Sequence, residues 1–162
     1  MGKKAKSDAE KKSAAGIAEE PAVAYIVTPS LLTGKMLPQM TAFEKIDIIK
    51  SGVSKNDLEV FKKKAALDYD QLAKALSVTR ATLINKKGKE KFAMALSERI
   101  IAIADIYSFG YDVFEEEEKF NRWVLRPNRA LGGIVPFDLL DTQYGREEVR
   151  DIIGRIAHGI FS

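Results

Sequence analysis

Arg80, Thr82 and Asn85 stand in the stretch TRATLINKKGK, with Thr79 in front and Lys86, Lys87 and Lys89 behind. A guanidinium, a hydroxyl and a carboxamide can pair with the donors and acceptors on base edges, while ammonium groups on flexible stems neutralise phosphates. This is recognition chemistry. The rest of the inventory offers little for bond making. There is no cysteine, so neither a disulfide nor a thiolate nucleophile is available, and His158 is the sole histidine, which excludes a multi-histidine metal site. The acidic runs Glu115 to Glu118 and Glu147 with Glu148 read as charge at helix N-termini rather than as a general acid and base. With no nucleophile–base pair and no metal-ligand cluster, the expectation is a protein that is not an enzyme.

The elements that must position this basic stretch are legible just upstream. In DYDQLAKALSVTRATL, Leu72, Ala73 and Leu76 form the buried stripe of one helix. Ala73 is small where a second helix must cross. Ser77 and Val78 make the turn, Val78 fills the corner, Thr79 caps the second helix and Leu83 anchors it. The pattern is that of a helix-turn-helix, with Ser77 where many such motifs have glycine. An ordinary αα-hairpin with a solvated basic face has the same pattern.

Charge divides the chain in the same sense. The net charge is +3, made of +1 over residues 1–20, +6 over 21–99 and −4 over 100–162. A basic middle suits a polyanion and an acidic end does not. Residues 1–20 are Lys, Ala, Glu and Ser with almost nothing large and apolar, the composition of a disordered tail. Residues 21–40, with AVAYIVTPS and Pro29, Gly34 and Pro38, read as an extended or irregular arm. Residues 41–99 form the helix-turn-helix module and 100–162 a second helical module, so the fold class is all-α. Thr41 with Glu44 and Ser54 with Asp57 are capping-box starts, and Gly52 is a stop. Leu96, Ile100, Ile103 and Tyr107 mark a longer helix ending at Gly110. A further helix is expected to start in the four-Glu run, with Arg122 and Arg126 matching the negative end of its dipole and Pro127 stopping it. No apolar run approaches the roughly 18 residues of a membrane span. That and the lack of cysteine suit a cytoplasmic protein with no membrane contact.

Beyond this helix, Trp123, Leu125, Leu131, Pro136, Leu139 and Leu140 are expected to build a compact apolar cluster. Gly132 and Gly133 allow a bend, and Asn128 bonds the local backbone. In the last helix Val149, Ile152, Ile153 and Ile156 share a face, and Gly154 leaves room for another backbone. Gly159 can end that helix in a left-handed conformation, yet Ile160 and Phe161 follow, apolar where a terminus is usually polar.

Trp123, Leu125, Pro127, Asn128, Leu131, Gly132 and Gly133, followed by Pro136, Leu139, Leu140, Asp141, Thr142, Gly145 and Val149, make the stretch that resembles the toxin-binding domain of the Xre/ParS/MbcA antitoxins. That family keeps an Xre-like helix-turn-helix upstream, as here, and the resemblance covers roughly residues 45–162. It implies an antitoxin of a type II toxin–antitoxin pair, a homodimer that covers the NAD cleft of a RES-domain toxin and represses its own operon by binding operator DNA. The NAD chemistry would be the toxin's, so the resemblance implies that this chain binds no cofactor. The candidate DNA contacts are then Thr79, Arg80, Thr82, Asn85, Lys86, Lys87 and Lys89. The candidate toxin contacts are Trp123, Asn128, Leu131, Gly154, His158, Gly159, Ile160, Phe161 and Ser162. Two readings of the last residues stay open: Ile160 and Phe161 fold back on the final helix, or the Phe161 ring and Ser162 carboxylate plug the toxin's cleft. The alternative for the whole protein is a helix-turn-helix regulator whose C-terminal domain senses a ligand or only dimerises, with no toxin.

Overall fold

A computed structural model describes residues 37–160. The expected tail, most of the arm, and Phe161 and Ser162 lie outside the described residues. The chain is all-α: a 3₁₀ turn Leu37–Gln39, α1 Ala42–Ser51, α2 Lys55–Lys64, α3 Tyr69–Leu76, α4 Arg80–Ile84, α5 Met94–Phe114, α6 Glu117–Val124, 3₁₀ turns Arg129–Leu131 and Pro136–Leu139, and α7 Gln143–Ala157. Among the described residues there is no strand, only an isolated antiparallel bridge between Ser54 and Lys91.

Local chemistry starts these helices as the sequence suggests. Thr41 with Glu44, Ser54 with Asp57 and Asp68 with Gln71 form complete capping boxes, and Gly52 closes α1 at φ 84°. The Glu44 carboxyl is held below its ordinary pKa, first by the Thr41 backbone N–H and then by the Thr41 hydroxyl. Tertiary structure is organised on α5. Its residues Ile100, Ile103, Ala104 and Tyr107 are buried, and α1, α3, α6, α7 and the first 3₁₀ turn all pack on it. One buried cluster runs from Leu37 through Leu58, Leu72 and Leu83 to Val149 and Ile153. The division expected between residues 99 and 100 falls inside α5.

Two expected boundaries move. Gly110 does not end the long helix; α5 continues to Phe114 and Glu115 closes it in the left-handed region at φ 60°. Gly110 serves instead as a contact point: a Cβ there would lie 2.2 Å from the Phe120 ring. The further helix does start in the four-Glu run, but two helices share that run. Glu115 ends α5, Glu116 caps α6, and only Glu117 and Glu118 lie in its first turn. α6 ends at Val124, so Arg126 is beyond it and Pro127 is not its stop.

Candidate functional site

Two surfaces carry the candidate residues. The first is the helix pair α3–α4. Ser77, at the α3 C-cap, sits in the left-handed region at φ 52° and ψ 47°, the conformation that favours glycine at this turn. Val78 packs half-buried against the core, and Ala73 and Leu83 are buried as expected. Thr79 caps α4: its hydroxyl accepts from the Thr82 N–H at 3.2 Å and lies 2.9 Å from the Thr82 hydroxyl. Arg80 is exposed and its guanidinium lies 3.3 Å from the Asp70 carboxylate on α3.

α4 is shorter than the sequence suggests. It ends at Ile84, with Asn85 as its C-cap, so Lys86, Lys87 and Lys89 follow it in an irregular turn. The cause is long-range. Lys55, buried on α2, donates to the Leu83 carbonyl at 2.8 Å and to the Tyr69 hydroxyl, and pairs with Glu59 at 2.8 Å. The Gly88 and Glu90 carbonyls accept from the Asn56 and Lys55 N–H groups at 2.9 and 2.8 Å. These bonds draw the chain off the helix and onto the start of α2. Thr79, Arg80, Thr82, Asn85, Lys87 and Lys89 are all exposed and Lys86 is half-buried, on one continuous stretch of surface.

The second surface surrounds Trp123. Gly110 lets Phe120 sink against α5, where its ring makes an edge contact with Tyr107 at 5.1 Å. Trp123 stacks on Phe120 at 5.7 Å and meets Phe114 at 5.3 Å. Asn121 ties the same helix to α2, donating to the Lys64 carbonyl at 3.0 Å and sitting 3.0 Å from the Tyr111 hydroxyl. Burial, and then the Glu117 carboxylate, raise the Tyr111 pKa, while the Asn121 bond lowers it.

Beside Trp123 is an apolar pocket of about 270 Å³, walled by Phe114, Trp123, Ala130, Ile152, Ile156 and Ile160, with Asn128 and Arg155 at its polar points. Asn128 closes the adjacent loop: its side chain accepts from the Ala130 N–H at 2.8 Å and its carbonyl from the Gly133 N–H at 2.8 Å. α7 ends as the sequence suggests. Gly159 is left-handed at φ 68°, its N–H reaches the Ile156 carbonyl, and the Ile160 N–H reaches the Arg155 carbonyl at 2.9 Å. This reciprocal C-terminal clip holds Ile160 at the pocket wall.

The structure therefore brings Trp123, Asn128 and Ile160 to one pocket. Leu131 is half-buried in the neighbouring turn, and His158 and Gly159 form the exposed end of α7. No other part of the described chain comes within 4 Å of a Cβ placed at Gly154, so the space there is open. Leu125 is not in the apolar cluster but stands exposed beside Ala66, because α6 ends before it. Sequence reasoning did not single out Phe114 or Arg155, and it did not give Ile156, Arg122 or Arg126 to this site. The signal available was the spacing of Arg122 and Arg126 around Trp123, which had been assigned to the helix dipole. Among the described residues no group of His, Cys, Asp or Glu side chains is placed to hold a metal, and no helix is long and apolar enough to cross a membrane.

Among the described residues the helices thus present an apolar pocket framed by Trp123, Asn128 and Ile160. Residues 110–159, which hold almost the whole pocket, match the domain described as the antitoxin Xre/MbcA/ParS C-terminal toxin-binding domain. The chain is 31% identical over 139 residues to the Prs ADP-ribosylating antitoxin of Sphingobium sp. (strain YBL2), covering 79% of this chain and 87% of that one. It is 29% identical over 146 residues to an antitoxin Xre of Yersinia enterocolitica, covering 86% and 99%. Over a shorter span of 76 residues it is 40% identical to an antitoxin Xre of Photorhabdus laumondii, covering 46% and 51%. The chain belongs to the Xre/MbcA/ParS antitoxin family, and its toxin-binding domain implies a toxin as partner.

Proposed function

We propose that this antitoxin neutralises a RES-domain, NAD-consuming toxin by covering its cleft with the Trp123 face, and that as a homodimer it represses its own operon through α3–α4. In this reading the chain itself catalyses nothing and binds no cofactor. The observation that carries the toxin half is the C-terminal clip. Ile160 is fixed at the pocket wall by its bond to the Arg155 carbonyl, so the last described residue stands at the pocket beside Trp123. A relative named for ADP-ribosylation accords with a partner whose chemistry is at NAD. The DNA half rests on the exposed polar and basic run from Thr79 to Lys89 on a turn that fixes α4 against α3. A two-fold dimer would present two such helices about one turn of the duplex, or a multiple of it, apart, so the operator is expected to be a palindrome.

The test is the toxin's NAD consumption titrated with the intact antitoxin and with a form lacking residues 160–162. The truncated form is expected to inhibit much more weakly while its circular dichroism and operator binding stay as in the intact chain. A tag appended after Ser162 should act in the same direction. Equal inhibition by both forms would remove the cleft-plugging role and leave these residues as packing for α7.

A further inference from the structure

The arginines around Trp123 carry an inference about the toxin surface. Two recesses adjoin there, sharing Phe114, Trp123 and Asn128. One is the apolar pocket of about 270 Å³, with Arg155 at its edge. The other, about 450 Å³, is lined by Lys119, Arg122 and Arg126. No carboxylate lines either. Arg122 and Arg126 also line the recess of Leu125, and there Glu118 joins them. Lys119 is paired with Glu116 at 2.7 Å. Among the described residues the side chains of Arg122, Arg126 and Arg155 make no ion pair or hydrogen bond. This arrangement sits inside the half of the chain whose net charge is −4. The other cations of that half are engaged: Arg150 with Asp105 at 3.0 Å and Arg146 with the Leu140 carbonyl at 2.9 Å. Arg129, in the neighbouring turn, is the exception. Among the described residues three unpaired guanidinium groups are thus gathered around the pocket beside Trp123.

We infer that this face docks an acidic surface of the toxin, one that inserts a single bulky apolar side chain beside Trp123 and sets carboxylates against Arg122, Arg126 and Arg155. The inference rests on the toxin-binding reading above and adds the chemistry of the partner. The pocket's size favours a side chain over a ligand: about 270 Å³ falls below the roughly 300–1,000 Å³ of small-molecule sites. The residue type favours carboxylate over phosphate as the target of a protein contact here. Arginine's planar fork meets a carboxylate through two bonds and is weakly hydrated, so it is suited to an interface that closes over an apolar centre. An aromatic anchor ringed by arginines is also the composition in which interface energy concentrates.

The experiment measures the affinity of the full-length chain for its toxin and for operator DNA, across a salt series, with one set of proteins. These are the wild type, R122E/R126E, R155E, A130L to fill the pocket, and K63E as a reversal on the basic half. Circular dichroism and melting check that each is folded. Expected are a loss of toxin affinity on the order of tenfold or more for R122E/R126E and R155E, with slower association. A130L should give a comparable loss without a change in salt dependence, and K63E no change. Wild-type toxin affinity should fall as salt rises. If the wild type binds toxin and the arginine variants bind it equally well, the acidic partner surface is overturned while the toxin reading stands. If those variants instead lose operator affinity alone, the surface belongs to DNA and the inference is again overturned. If the wild type binds no toxin, the toxin reading falls and takes this inference with it.

Discussion

The α4 surface and the Trp123 surface both gather cations, and they do so with different residues on different ground. Around α4 most are lysines, Lys86, Lys87 and Lys89, on an irregular polar turn, and the one arginine, Arg80, is held by Asp70 at 3.3 Å. Around Trp123 the unpaired cations are arginines beside an aromatic stack and an apolar pocket. Flexible ammonium groups on a wet surface match a row of phosphates, where counterion release makes affinity strongly salt-dependent. Guanidinium groups beside a dry centre match a protein partner, where the apolar anchor holds and the rim steers. On the proposed reading positive charge serves two kinds of recognition, and what separates them is the apolar ground on which it lies.

The largest effect expected on this comparison comes from Gly110→Ala. The added Cβ would sit 2.2 Å from Phe120, whose ring is wholly buried and cannot swing into solvent. Phe120 must shift, and Trp123, stacked on it at 5.7 Å, must follow. Overpacking of this kind costs about 1–3 kcal/mol. A lower melting temperature and weaker toxin binding are expected, with operator affinity unchanged under conditions where the protein is folded. Loss of both activities in parallel would mean that the two surfaces are not separable.

The α4 side is broken differently. Arg80 and Asp70 are a surface pair, with side chains 57% and 71% exposed, so exchanging that contact for a base edge costs little. Arg80→Ala is expected to cost about 1–3 kcal/mol on the operator and little on unrelated DNA. Lys87→Ala should weaken all sequences alike and reduce the salt slope by about 1. Titrations on operator and scrambled DNA read both effects, and toxin affinity should not move in either variant. Equal losses on both DNAs for Arg80→Ala would reduce it to a phosphate contact.

How far these surfaces were legible follows from the range of the interactions that make them. The capping boxes at Thr41 and Ser54, the turn at Ser77 and the clip at Gly159 are closed by residues a few positions apart, so their spelling is in the sequence. The length of α4 is not. It is set by the buried ammonium of Lys55, 28 residues away from the Leu83 carbonyl it binds, and a lysine in a run of polar residues gives no sign of burial. Gly110 was legible as special but not for the right reason, since the ring that needs its space arrives from α6. The arginines beside Trp123 have a local meaning, the helix dipole, that fitted a longer α6. Only the end of that helix at Val124 leaves Arg126 to the groove. The expected tail, most of the arm and the last two residues lie outside the described residues.

The smallest effect concerns α5, on which both α3 and α6 pack. Tyr107 on α5 makes edge contacts with Phe61 of α2 at 5.3 Å and with Phe120 of α6 at 5.1 Å. Its hydroxyl is buried with no hydrogen-bond partner among the described residues. A buried orphan of this kind costs about 1–3 kcal/mol, and Tyr107→Phe removes it while keeping the ring. Stability to urea should rise by roughly 1 kcal/mol, with toxin and operator affinities unchanged, because neither surface includes the hydroxyl. The pH dependence gives a second reading. Burial, and then neighbouring Tyr111, push the Tyr107 pKa well above its ordinary value of about 10. Above pH ~10 the unfolded chain releases a proton that the folded chain retains, so this contribution to stability is complete below pH ~10 and is lost as pH rises further. The Phe variant should lose less stability over that alkaline range, keeping only the part due to Tyr111, whose pKa is raised by its own burial. A variant less stable than the wild type at neutral pH would show that the hydroxyl has a partner, such as an ordered water, and that α5 is held there by a bond.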